Sequence, residues 1–249
     1  MGNHTIELKN VSFEYEKDQP ILQNISFLIE SGEFTVVFGE NGQGKSTLLK
    51  LMLGLLEPTK GTIQFGPKTP RMAERHGEVA YIPQRATAFN SAFPATVQEL
   101  VASGLIKNRR RFRPLSAQQR QKMHQALDNV GLLGFEKRLI GELSGGQQQR
   151  AFLARSLVDD CRYLFLDEAT SGIDTPSTTA ICCLLAEINR EQKKTIVMVT
   201  HDIESVHAHA SRVLYVSSAH QIMNFLPDEF EQYLHKHTKH VFRRNAASI

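Results

Sequence analysis

One stretch constrains the fold more than any other: Gly39-Glu-Asn-Gly-Gln-Gly-Lys45-Ser46-Thr47. It fits GxxxxGK[ST] and lies between an apolar, β-branched run, Thr35 to Phe38, and a leucine-rich segment with helical spacing from Leu48. Gly39, Gly42 and Gly44 let the backbone curl so that its N–H groups point inward, and the following helix turns its positive end toward the same point. Such a turn is a cradle for phosphate. Lys45 adds a mobile positive charge, Ser46 a hydroxyl oxygen suited to Mg²⁺, and Asn41 and Thr47 complete the loop.

The rest of the chain fits an α/β domain built around that turn. Ile6, Leu8, Val11 and Phe13, then Ile25, Phe27 and Ile29, alternate with polar residues, which predicts an N-terminal antiparallel β layer exposed on one face. Tyr163 to Leu166 and Thr195 to Thr200 are continuous apolar runs like Thr35 to Phe38, as expected for parallel strands covered on both faces. From Pro94 to Leu139 the sequence turns polar, Gln-rich and helix-favouring, with Ser116 a candidate cap. This predicts an inserted α-helical lobe at about 90–150. After Phe225 a polar tail carrying His235, His237 and His240 offers no clear core, so the domain is expected to span 1–225 and the tail 226–249.

Composition removes several function classes. Across 249 residues the chain is 41% hydrophobic and 22% charged, close to globular averages. No run approaches the ~20 continuous apolar residues of a membrane span, and MGNHTIELKN lacks the pattern of a secretory leader, so the expectation is a protein that reaches a membrane only through a partner. Three cysteines, Cys161, Cys182 and Cys183, have neither disulfide nor metal-ligand spacing and read as reduced thiols. A net charge of +3 predicts no nucleic-acid partner, and the basic run Lys107 to Arg113 reads as a solvated loop. Lys236 and Lys239 among the tail histidines argue against a cation site there, and His207 and His209, two apart, point to different helix faces.

Two further elements supply chemistry. Tyr163-Leu-Phe-Leu-Asp167-Glu168 brings two carboxylates to the C-terminal end of a buried strand, where α/β sheets bind ligands. Asp167 is the candidate Mg²⁺ holder and Glu168 the candidate general base toward water. Leu143-Ser144-Gly145-Gly146-Gln147, followed by Gln148-Gln149-Arg150, places a serine and two glycines at a predicted helix start, a second anion site.

This last motif resembles the signature sequence of ABC ATPases, and other residues fall in that family's order. Gln84, in Tyr-Ile-Pro-Gln, resembles the family's glutamine that touches Mg²⁺ or water. Ser171-Gly172-Ile173-Asp174 resembles its D-loop, with Gly172-Ile173 where Ala-Leu is usual. His201 resembles the switch histidine at the γ-phosphate, and Tyr15 sits where an aromatic residue stacks on adenine. The resemblance covers about residues 5–225. It implies a P-loop NTPase fold with a central, mainly parallel sheet, and Mg-dependent ATP hydrolysis in a head-to-tail homodimer. Each ATP would lie between Gly39–Thr47 of one copy and Ser144–Gln147 of the other. An integral permease and an extracytoplasmic substrate-binding protein are the implied partners, at the cytoplasmic membrane face.

The stretch 85–97 after Gln84, and Arg111-Phe-Arg-Pro-Leu-Ser116, are similar to the zinc and manganese uptake branch. Iron-siderophore import, and ABC ATPases acting on ribosomes or DNA, are the alternatives. The latter usually carry two fused motors or a long coiled-coil insertion, neither of which is visible here. A nonhydrolytic regulator would not need Lys45, Asp167, Glu168 and His201 together.

Overall fold

A computed structural model describes residues 4–84, 94–105, 114–170 and 172–237. The stretch 85–93, the basic run Lys107 to Arg113, Ser171 and His240 lie outside the described residues.

The alternating N-terminal segment forms β1 (Ile6–Glu14) and β2 (Pro20–Ile29), which pair antiparallel with each other; β1 pairs likewise with β4 (Lys60–Phe65). This three-stranded layer, ordered β2-β1-β4, lies apart from a six-stranded sheet. The larger sheet runs β5 (Val79–Ile82), β6 (Tyr163–Asp167), β7 (Thr195–Val199), β3 (Phe34–Phe38), β8 (Arg212–Val216), β9 (Ile222–Phe225). Every pairing in it is parallel except β8–β9.

Apolar runs without alternation become central strands because both faces need cover. Phe34, Val36, Leu164, Leu166, Ile196 and Met198 face one apolar cluster, which they share with the helices. Val37, Tyr163, Phe165, Val197 and Val199 face a second, shared with the N-terminal layer and α1 (Lys45–Met52). Each fully buried aromatic or aliphatic side chain contributes on the order of 2 kcal/mol.

The expected lobe consists of α3 (Val97–Ser103), α4 (Ala117–Asn129) and α5 (Gly145–Leu157). All three begin with the same device: Thr96, Ser116 and Ser144 each cap the backbone N–H three residues on, and Glu99, Gln119 and Gln147 each reach back to the cap's own N–H. The short α2 (Pro70–Arg75) follows β4, and α6 (Thr175–Gln192) connects β6 to β7.

After Phe225 the structure departs from the expected uncored tail. Pro227–His237 forms α7, whose Phe230 is buried against Phe38 and Phe225. Tyr233 adds a ring to the same cluster and stacks on His237. Aromatic area drives this packing despite the helix's polar composition. Cys161 and Cys182 are buried, Cys183 is exposed, and all three are free thiols.

Candidate nucleotide site

The sequence between β3 and α1 folds as the glycine pattern dictates. Gly44 takes a left-handed conformation, φ +96, as the residue that opens α1. A Cβ there would lie 2.9 Å from Ile21 Cγ2, and one on Gly39 would lie 2.6 Å from the Val216 carbonyl, so the protein's own packing requires both glycines. Around Gly42, by contrast, the space within 4 Å is open.

Lys45 folds back over the loop and donates to the carbonyls of Gly39 at 2.7 Å and Glu40 at 2.8 Å. Burial pushes its ammonium below the usual lysine range, against the pull of Glu168, Asp167 and Glu40. A desolvated cation whose hydrogen bonds go to neutral carbonyls gains from an arriving anion.

The parallel pairing of β6 with β7 and β5 delivers the rest. Asp167 ends β6, and its Oδ1 accepts from Ser46 Oγ at 3.3 Å. Burial pushes its carboxyl above the usual range, and the Ser46 hydrogen bond works in the opposite direction. Tyr81 Oη lies 3.5 Å from Asp167 Oδ2, with its phenol pushed up to about 12 by burial and by Asp167's charge.

Glu168 adopts φ +45, a conformation that costs a non-glycine residue on the order of 1 kcal/mol. Its N–H donates to Val199 O at 2.9 Å, which holds the turn. Gln84 Nε2 donates to Glu168 Oε2 at 2.6 Å, and His201 Nδ1 lies 3.8 Å from that same oxygen.

A hollow of about 250 Å³ is lined by Tyr15, Ile21, Asn41, Gly42, Gly44, Lys45, Ser46, Thr47 and Glu168. Tyr15 stands at its rim, 56% exposed, with its hydroxyl 3.3 Å from Thr47 Oγ1 and its ring edge-on to Phe13. Thus Tyr15 and the loop residues meet in one place with Glu168, and Asp167, Gln84 and His201 attach to it by one contact each.

Ser144, Gly145, Gly146, Gln147 and Asp174 do not line that hollow. They form a second locus at the start of α5. Gln147 N–H donates to Ser144 Oγ at 3.3 Å, and Ser144 N–H to Gln147 Oε1 at 3.0 Å. Gly145 backs onto Ile173, and Gly146 onto Ser177 in the first turn of α6; Asp174 caps that helix by accepting from Ser177 N–H at 2.9 Å.

A family model described as ABC transporter matches residues 22–171. The chain belongs to the ABC transporter family. The zinc uptake system ATP-binding protein ZurA of Listeria innocua is 43% identical over 91% of this chain and 90% of its own length. The manganese transport system ATP-binding protein MntB of Halalkalibacterium halodurans is 38% identical over 86% and 84%. A bacterial ABC transporter cassette solved as a dimer superposes with a TM-score of 0.73 and 27% identity, over 89% of this chain and 98% of that one. As a family member the chain is an ATP-binding, ATP-hydrolysing transporter subunit. No helix among the described residues of this ABC ATPase is long and apolar enough to cross a membrane.

Three contacts of the ABC ATPase escape a reading of its sequence. Tyr81 against Asp167 follows from the pairing of β5 with β6, which puts Tyr81 opposite Phe165. Ile21 is an ordinary apolar strand residue until β2 is folded against the loop. Gln43, whose Oε1 accepts from Glu40 N–H at 2.9 Å, is the unspecified x in GxG. Of these, only Tyr81 carried a signal, as a polar-tipped aromatic three residues before Gln84.

Proposed function

We propose that this ABC ATPase powers uptake of a divalent metal ion, zinc before manganese, through a separate membrane permease. Similarity to the zinc and manganese proteins over most of their length is the observation that carries the reading. The chain would work as a pair at the cytoplasmic face of the membrane, with an integral permease and an extracytoplasmic binding protein; nucleic acid has no part in it.

The hollow would take the nucleotide, with Tyr15 stacking on the base. The N–H groups of residues 39–47 and the Lys45 ammonium would hold its phosphates. Ser46 Oγ and Asp167 Oδ1 are adjacent hard oxygen donors, and a carboxylate disfavoured by burial is one that a divalent cation would keep ionised. They fit Mg²⁺, and Gln84, held on the neighbouring Glu168, would bring a further oxygen donor. Bound there, the metal would neutralise phosphate charge.

Glu168 would polarise the attacking water as general base, and His201 would sense the γ-phosphate. Gln84 donates to Glu168 Oε2 and would hold that carboxylate in place toward the water. Ser144, Gly145, Gly146 and Gln147 would complete the site from a second copy, with Asp174 at the same junction. The γ-phosphate, addressed by both copies, would favour the closed pair until hydrolysis removes it.

Uptake of radioactive zinc and manganese by cells lacking this chain tests the proposal. Accumulation of zinc should fail and return with the wild type but not with Glu168→Gln. Undiminished zinc and manganese uptake, or recovery of the chain only with ribosomes, would defeat it.

A further inference from the structure

Gly39 and Gly44 mark the two ends of the phosphate loop, and one C-terminal feature hems in both. The first is pressed by the Val216 carbonyl, at the end of β8, 2.6 Å from where a Cβ would stand. The second is pressed by Ile21, 2.9 Å from where its Cβ would stand. Ile21 is in turn tied to the turn that follows β8. His220 Nδ1 lies 3.2 Å from Ile21 O, and Gln23 N–H donates to His220 O at 3.0 Å.

That turn is closed by Ser217 N–H to Gln221 O at 2.9 Å and His220 N–H to Ser217 O at 3.1 Å, with His220 itself at φ +60. The β8–β9 hairpin therefore touches the start of the loop directly and its end through Ile21. Because Ile21 also lines the hollow, its position bears on the ligand as well as on the glycine.

We propose that the β8–β9 hairpin braces the phosphate loop, and that His220 is a positioning residue that holds Ile21 against Gly44. A carbonyl only accepts, so the contact requires the proton on Nδ1. A loop whose N–H groups must converge on phosphate binds best when its ends are fixed before the ligand arrives, since ordering then costs nothing at binding. The three-residue reach from His220 through Ile21 to Gly44 fixes the end at which α1 begins. The inference rests on the hollow being the nucleotide site.

Titration of the full chain with a fluorescent ATP analogue, alongside steady-state kinetics and melting, tests both claims separately. The proteins compared are wild type, Lys45→Ala, His220→Gly and His220→Asn. Glycine keeps the left-handed turn and the main-chain bond from Gln23 but removes the imidazole. Asparagine tolerates the same conformation and returns a side-chain N–H.

His220→Gly should weaken analogue binding and raise KM by about fivefold, the loss of one hydrogen bond, with kcat within about twofold of wild type. His220→Asn should recover most of that affinity. Wild-type binding by His220→Gly beside failure of Lys45→Ala would overturn the brace and leave the site standing. Undiminished binding by Lys45→Ala would instead overturn the site. Equal loss of affinity in both His220 variants, in step with equal loss of melting temperature, would reduce His220 to a fold-stabilising residue and also overturn the inference.

Discussion

The phosphate loop and the start of α5 are both serine- and glycine-rich helix entries, yet the structure treats them differently. The loop holds a buried lysine, two glycines fixed by packing, and Asp167 and Glu168 delivered by a neighbouring strand. At α5 the Ser144 oxygen and the Gln147 amide satisfy each other, and Ser144, Gly145 and Asp174 are exposed. One is therefore preorganised by its own packing. The other is a stable cap backed by Ile173 and Ser177. A cap of the same geometry opens α4 at Ser116. Geometry alone does not separate these two caps; a partner that needs one of them does.

Breaking the loop side at its base should have the largest effect. Glu168→Gln should lower ATP turnover by about 10³-fold, while equilibrium binding of ATP stays within a few-fold, as read by phosphate release and filter binding. On the α5 side, Ser144→Asp keeps a good capping residue but sets a negative charge against a phosphate. Turnover should fall by roughly 10²-fold while the melting temperature holds, because the helix-capping preference of Asp equals that of Ser.

Asp167→Asn sharpens the contrast through stability. Asp167's folded carboxyl is raised by burial, so folding favours its protonated form. Its contribution is favourable below the unfolded value and is lost as pH rises toward the raised one, which makes the ionised group a cost at neutral pH. The asparagine variant should melt higher than wild type without nucleotide, on a scale of about 2–4 °C per kcal/mol for a chain of this size, and lose Mg-dependent hydrolysis. The smallest effect belongs to Ser116→Ala: about 1 kcal/mol of stability by denaturant titration, with turnover per folded molecule unchanged.

Much of this was legible because the features are local. The continuous apolar runs at Thr35, Tyr163 and Thr195 became central strands, and Ser116 became a cap, since each depends on residues within a few positions. α7 was not legible. Only Phe230 of its eleven residues is buried, and its anchor, the Phe38–Tyr215–Phe225 cluster, joins Phe225 of the adjacent β9 to Phe38 and Tyr215 of the more distant β3 and β8. The meeting of Gln84 with Glu168 is likewise a product of strand order, joining residues 84 positions apart. The Tyr81 contact has the same origin. The residues of the candidate site were proposed from the chain, but how they restrain one another needed the sheet.

Mixing two inactive variants tests most directly whether one copy's loop works with another copy's α5. Lys45→Ala disables the loop and Ser144→Asp the α5 entry, so a mixed pair keeps one intact composite site. With free exchange of subunits, an equimolar mixture should recover about a quarter of wild-type ATP turnover, where each variant alone shows almost none. A mixture as inactive as its components, under conditions where mixed pairs are shown to form, would mean that each chain completes its own site.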